Sequence, residues 1–282
     1  MEFCEKCGFT DEDEVYLKKE LMSEIDTKRV INLAMEAGRM LLKNGGEIFR
    51  VEETIKRICG RFHVNHVDIF SMSHGIFVSA ENENGEAYTK VNHVPLSSSH
   101  LGIVAEVNEL SREISAGRVK LEEAEERLEK IEKIPPKKRW FQYMAAGLAS
   151  GTFALMLGSS VSEAVAAFLI GFLSYVWVLF AGKHNLSKII VNIVGGVIMT
   201  VLALAFMHIP FLPILKLDGM MVGAIMPMIP GVAFVNAIRD IADTDFLSGL
   251  VRMIDALLVF VYIAIGVGVT LSIYNTMMGG IL

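Results

Sequence analysis

The uneven distribution of charged side chains constrains this chain more than any other feature. Of the 26 Lys and Arg residues and the 32 Asp and Glu residues, residues 1–139 hold 21 and 26, and residues 140–282 hold only 5 and 6. Such sparse charge in a largely apolar stretch excludes disorder and is unfavourable for a water-soluble domain. The pattern therefore predicts a soluble front half followed by a membrane-embedded back half.

The back half contains five apolar segments long enough to cross a bilayer, whose hydrocarbon core requires about 20 residues per helix. They cover residues 140–157, 162–180, 189–207, 219–237 and 253–274. We therefore predict an α-helical membrane protein with five transmembrane helices, preceded by a cytosolic α+β domain. The predicted divisions are an N-terminal tail at 1–26, the cytosolic domain at 27–136 and the transmembrane domain at 137–282.

The positions of Lys and Arg predict the orientation in a cell membrane, because short cytoplasmic loops carry an excess of both. If the five segments alternate in direction, Lys216 alone lies on one side. The other side holds seven basic residues: Lys137, Lys138, Arg139, Lys183, Lys188, Arg239 and Arg252. The N-terminus is acidic and has no apolar run, so we expect no signal peptide. The N-terminus is predicted to be cytoplasmic and the C-terminus to lie outside.

The fourth apolar segment contains two helix-breaking residues, Pro227 and Pro230, and Gly231 follows them. Proline removes a backbone donor and clashes with the preceding turn. Discontinuous helices of this kind form substrate sites in many transporters, so Pro230 and Gly231 are candidate substrate-binding positions. The alternative is a simple proline kink.

Polar residues follow this break, where membrane-embedded charge is costly and commonly functional. Asn236, Arg239 and Arg252 are candidate substrate-binding residues, because a guanidinium can hold a substrate carboxylate. Asp240 and Asp255 are candidate proton-coupling carboxylates. An apolar run follows Asp255, so its charged form is expected to be disfavoured there. The alternative is a cytosolic loop whose charges pair with one another.

The front half has the periodicity of a small α+β domain. Cys4 and Cys7 form a single CxxC pair, and His63 and His66 a single HxxH pair, so we expect neither a metal site nor a cofactor. The net charge of −6 makes nucleic acid a poor partner. The predicted helices cover 27–43, 47–62, 99–116 and 120–132, and the predicted strands cover 67–73, 75–82 and 86–94.

Several strings together resemble the threonine/serine exporter family: NGGEIFRVEETI, GIFVSAEN, SSSHLGIVAEVNELSREISAGRVKLEEAEERLEKI and MIPGVAFVNAIRDIADTDFLSGLVRMIDALL. The cytosolic motif positions that match are Asn44, Gly45, Arg50 and Glu52. Because the chain stops after the fifth segment, it resembles the large subunit of the split, two-component form, which is related to a two-component succinate exporter.

The resemblance implies a proton-motive-force-driven exporter of threonine, serine or small carboxylates such as succinate in the cell inner membrane. It also implies a second small multi-span membrane subunit as partner, and an oligomer is expected. A membrane sensor or scaffold with a cytosolic α+β module is the alternative function. No catalytic constellation is visible in the sequence, so an enzyme is not expected.

Overall fold

The computed structural model describes residues 11–81, 87–95, 99–209 and 215–278, with the backbone alone for residues 11–26 and 65. The first elements in chain order are α1 Asp11–Lys43, α2 Ile48–Arg61, β1 Asn65–Met72, β2 Gly75–Glu81, β3 Ala87–His93, α3 Leu101–Ser115 and α4 Leu121–Glu132. The later helices are α5 Arg139–Met156, α6 Val161–Lys183, α7 Lys188–Met207, α8 Leu217–Ile225, α9 Gly231–Ala242 and α10 Phe246–Met277.

The chain forms two compact units, which we describe separately. The first unit comprises the chain up to Ile134 together with Asn236–Val251. The second comprises Pro135–Val235 and the chain from Arg252 onward. Residues from the end of the predicted fourth membrane segment and from the connection after it are therefore part of the same unit as the front half.

In the first unit, β1, β2 and β3 form an antiparallel sheet in that order. Ile76, Val78 and Ala80 alternate along β2 and are fully buried, as expected where one face of a sheet packs on a core. On the other face of β2, Phe77 pairs with Phe70 of β1 and is exposed.

The predicted helices and strands of the front half are present, with most ends within two residues of the prediction. The exception is α1, which begins at Asp11, within the segment predicted as a tail. Asp11, Glu12 and Asp13 suit a helix start, because carboxylates are favourable near a helix N-terminus. The predicted division into a tail at residues 1–26 and a helix from residue 27 is therefore wrong at this boundary.

In the second unit, small residues allow α5 to pack closely on α6. A Cβ atom at Gly147 would lie 2.9 Å from the ring of Phe168, and one at Gly151 would lie 3.0 Å from the carbonyl oxygen of Ala164. The GxxxG spacing of Gly147 and Gly151 therefore serves helix packing, as small residues do in membrane helices.

Among the described residues, three helices are long and apolar enough to cross a membrane, namely α6, α7 and α10. The helices α8 and α9 are bent by 65° relative to each other at a short break. They add a fourth candidate if the pair forms one broken span. The predicted count of five is not confirmed, because α5 does not qualify. Its 18 residues include Arg139 and Gln142 in the first two turns, so only its later part is strongly apolar.

Candidate functional site

The turn between α1 and α2 is fixed by its own backbone and by the residues before α3. Gly45 has a φ of +88°, the left-handed conformation in which glycine commonly ends a helix. A Cβ atom at Gly45 would lie only 2.6 Å from Oγ of Ser99. Buried Asn44 donates from Nδ2 to the carbonyl of Met40 at 2.7 Å, and its own carbonyl accepts the amide of His100 at 3.1 Å. Asn44 and Gly45 thus shape this turn.

The other two motif positions lie on α2. Arg50 pairs with Glu53 one turn along the helix at 3.0 Å. Glu52 accepts the backbone amide of Ser71 at 3.1 Å through Oε1. Glu52 therefore fastens α2 to β1, and Arg50 makes an exposed pair within its own helix.

Three residues of α9 contact the α1–α2 turn. Asn236 donates from Nδ2 to the carbonyl of Gly45 at 2.8 Å. Asp240 accepts the backbone amide of Ile48 at 3.3 Å through Oδ1. Arg239 forms an ion pair with Glu47. Two sequence motifs about 190 residues apart, predicted as a cytosolic motif and as a membrane site, thus meet within the first unit.

The location of Asp240 has a clear electrostatic consequence. Ile48 is the first residue of α2, so the Asp240 carboxylate lies at a helix N-terminus, where unpaired backbone amides carry partial positive charge. Asp240 is only 2% exposed. Its carboxylate therefore stabilises the start of α2 and attaches α9 to it.

The connection from α9 to α10 is also attached to the first unit. Ser73, in the β1–β2 turn, donates from Oγ to the carbonyl of Ser248 at 3.0 Å. A Cβ atom at Gly249 would lie 2.9 Å from the carbonyl oxygen of Ala237, so only glycine lets α10 begin this close to α9. The amide of Asp245 donates to the carbonyl of Asp240 at 2.8 Å and closes the turn.

The predicted break in the fourth segment is present. α8 ends at Ile225, a 3₁₀ turn covers Met226–Met228, and α9 begins at Gly231. Pro227 lies in that turn. The carbonyl of Pro230 accepts a hydrogen bond from the amide of Phe234 at 2.9 Å, in the first turn of α9. No described atom would lie within 4 Å of a Cβ at Gly231, so this glycine is not required for close packing.

The remaining two candidates lie near the start of α10, in the second unit. Arg252 is buried at 6% exposure. Asp255 pairs with Lys188, whose Nζ lies 2.7 and 2.6 Å from the two carboxylate oxygens. The charge of Asp255 is therefore offset by a lysine at the first residue of α7. The structure brings Asn236, Arg239 and Asp240 to the α1–α2 turn, and it places Arg252 and Asp255 in the other unit.

The sequence reading missed two partners at these positions. Glu47 adjoins the NGG turn, and nothing in its local pattern indicates Arg239 as its partner. For Lys188, the sequence predicts only a basic residue on the cytoplasmic side, and it does not indicate Asp255 as the partner. Both pairings join residues far apart in sequence, which local spacing does not reveal.

Glu163 is a further buried carboxylate that the sequence reading passed over. It forms a capping box with Ser160, whose backbone amide donates to Oε2 at 2.8 Å. Its Oε1 accepts the amide of Lys216, which caps α8, at 2.9 Å. The Ser-x-x-Glu pattern was a readable signal for this helix start. Glu163 joins the N-termini of α6 and α8.

Among the described residues, no group of three or more His, Cys, Asp and Glu side chains is arranged to hold a metal ion. His63 and His66 both have left-handed backbone conformations at the α2–β1 junction. Cys4 and Cys7 lie outside the described residues.

Comparison with known proteins gives one consistent family. The family model of threonine/serine exporters, ThrE, matches residues 32–274, which include both the α1–α2 turn and the broken segment. A threonine/serine exporter of Corynebacterium glutamicum is 24% identical over 249 residues, covering 86% of this chain and 51% of that relative. The chain thus spans about half the length of this curated relative. No solved structure matches. With apolar helices and a family match over most of its length, the chain belongs to the threonine/serine exporter family of membrane transport proteins.

Proposed function

We propose that this chain is the larger subunit of a proton-coupled secondary exporter for threonine, serine or a small carboxylate such as succinate. A second small multi-span membrane subunit would supply the rest of the transport path. The observation that carries the proposal is the family match over residues 32–274, within which a helix pair bent by 65° lies next to arginine and aspartate residues. Half-helices of this type bind substrates in other secondary transporters.

The proposed topology has five crossings, made by α5, α6, α7, the broken pair α8–α9, and α10. The N-terminus is proposed to be cytoplasmic and the C-terminus outside. Seven basic residues against one support this orientation. The 18 residues of α5 span about 27 Å as a helix, close to the roughly 30 Å of a bilayer core.

The substrates share one chemical feature, a carboxylate on a small polar molecule. Arg239 and Arg252 are the proposed anchors, because a guanidinium binds a carboxylate through two parallel hydrogen bonds. Asn236, Pro230 and Gly231 are the other proposed substrate-binding positions. A nearby carboxylate can hold the ammonium of an amino acid, which succinate lacks.

Asp255 is the better placed of the two proposed proton-coupling residues. Protonation would remove its charge and weaken its pair with Lys188, which is 2.6 Å away, so proton uptake would change a contact between α7 and α10. Asp240 accepts the amide of Ile48 through Oδ1 and is only 2% exposed, so its carboxyl group is less accessible to a proton from water than that of Asp255.

One structural observation favours the alternative function, a membrane sensor or scaffold. Residues 236–251 belong to the same compact unit as the front half. A conformational change in the front half would therefore be transmitted to these residues, and no substrate has to move for this. The two functions differ in one outcome, which is net movement of substrate across the membrane.

Reconstitution in liposomes separates them. The purified chain, alone and with a candidate second subunit (a small multi-span membrane protein), is placed in vesicles loaded with labelled threonine, serine or succinate. An imposed proton gradient should drive release of at least one substrate only when both proteins are present. Transport by the single chain would contradict the two-component proposal, and no transport of any substrate by the pair would favour the sensor.

A further inference from the structure

The three contacts between α9 and the α1–α2 turn differ in how readily they can be exchanged. The bonds made by Asn236 and Asp240 go to backbone groups, and both side chains are buried. The third contact is an ion pair of side chains, in which Arg239 is 58% exposed and Glu47 is 24% exposed. Water and small solutes can therefore reach the Arg239 guanidinium while the two backbone contacts persist.

We propose that Glu47 is an internal competitor that occupies Arg239 until the carboxylate of the substrate displaces it. This inference rests on the proposed function, in which Arg239 anchors substrate. Glu47 presents the same functional group as threonine, serine and succinate, and two parallel N–H groups of a guanidinium donate to one carboxylate at a time. Glu47 is thus a positioning residue that determines how much cytosolic substrate is needed to engage Arg239.

The location of Glu47 favours exchange over permanent pairing. It is the N-cap residue of α2, yet its side chain makes no capping hydrogen bond, so its release would leave the helix start intact. Asp240 continues to hold the amide of Ile48 meanwhile. After the substrate departs, Glu47 returns to Arg239, and the arginine charge is again compensated.

Competition by a tethered group raises the apparent half-saturating concentration of the free ligand, because only the fraction of sites without the tethered group can bind. Removing Glu47 should therefore lower that concentration. Since exposed ion pairs are weak, the expected change is about two- to fivefold. The maximal export rate should change much less.

The test measures export rate against internal concentration of labelled threonine, serine and succinate in cells with the full system. Glu47→Gln should lower the half-saturating concentration about two- to fivefold, and Glu47→Asp should give an intermediate shift. Glu113→Gln is the matched control, because Glu113 is also 24% exposed and also pairs with an arginine, Arg127, away from α9. It should leave the half-saturating concentration unchanged.

A second pair of variants makes the test specific for Arg239. Arg239→Gln should raise the half-saturating concentration, and adding Glu47→Gln to it should produce no further shift, since the competitor has lost its target. Calorimetry should measure the affinity of the purified variants for the same three probes, and the order of these affinities among the variants should match the order found by export. Melting temperature and surface expression identify any variant that has not folded, and Glu47→Asp then replaces Glu47→Gln.

Two results would overturn the inference while the proposed function stands: an unchanged half-saturating concentration with a lowered maximal rate in Glu47→Gln, or a shift that persists in the Arg239→Gln background. Absence of export of all three probes by the unmodified system would instead remove the proposed function, and the inference with it.

Discussion

At the scale of single residues, Asp240 has a structural role that its sequence position did not indicate. The sequence pattern predicted a proton-coupling carboxylate. The structure shows a buried side chain that accepts the amide of Ile48 at the start of α2. A residue of this kind contributes to stability whether or not it also moves a proton.

We expect Asp240→Ala to lower the free energy of unfolding by about 1–3 kcal/mol, because the amide of Ile48 loses its acceptor. Exposed Asp243, in the turn that follows α9, is the control, and Asp243→Ala should change stability by less than about 0.5 kcal/mol. Thermal unfolding of the purified proteins in detergent measures both. Equal effects of the two substitutions would show that the contact with α2 contributes nothing.

Cys59 is a second residue whose behaviour follows from its surroundings. Burial raises the pKa of its thiol from 9.0 to about 12, because the thiolate is disfavoured away from water. In a Cys4→Ser, Cys7→Ser variant, a maleimide should not label the native protein below pH 9 and should label the unfolded protein fully.

The same shift has a consequence for stability. Because the folded-state pKa of Cys59 is the higher one, its contribution to stability is complete below pH 9 and is lost as the pH rises toward 12. Cys59→Ala should show less of this alkaline loss. Rapid labelling of the native protein would contradict the buried position.

At the scale of elements, the helices and strands of the front half could be predicted because each carries its own periodicity and turn residues. The break at Pro227 and Pro230 could be predicted for the same reason, since proline acts on its own backbone. These features are local, and the structure confirms them.

Long-range features could not be predicted in this way. The contact between Ile48 and Asp240 joins residues 192 positions apart, and no local pattern encodes it. The predicted count of five spans is likewise not confirmed, because Arg139 and Gln142 near the start of α5 lower the apolar character of its 18 residues.

The α1–α2 turn gives a prediction at this scale. Gly45→Ala should lower the free energy of unfolding by about 1–2 kcal/mol, because a side chain in the left-handed conformation is strained. The new Cβ would also approach Ser99. Gly60, within α2 and with no described atom within 4 Å of an added Cβ, is the control, and Gly60→Ala should stabilise by about 0.5–1 kcal/mol. Chemical unfolding curves decide the matter, and a neutral Gly45→Ala would contradict the geometry of the turn.

At the scale of the whole molecule, residues 236–251 belong to the same compact unit as the front half. The residues from 252 onward belong to the unit that contains the apolar helices. α9 and α10 each contribute residues to both units. The contacts of Asn236 and Asp240 with the α1–α2 turn lie within the first of these units.

Proton coupling gives the prediction that belongs to this scale. Asp255→Asn fixes a neutral side chain beside Lys188, so gradient-driven export should fail while exchange of internal for external substrate continues. Lys188→Gln, which removes the other member of the pair, should weaken but not abolish the dependence on the gradient. Unchanged gradient-driven export by Asp255→Asn, at normal expression, would assign the coupling elsewhere.

We propose, as the central point, that this chain together with a second small membrane subunit exports a small carboxylate-bearing metabolite. The most direct measurement is the initial rate of efflux of preloaded labelled threonine, in cells with the chain and its candidate second subunit and in isogenic cells without them, with serine and succinate measured in parallel. We predict faster efflux of at least one of the three substrates when both proteins are present, and loss of that excess when a protonophore collapses the gradient. Identical efflux of all three substrates in the two strains would contradict the account.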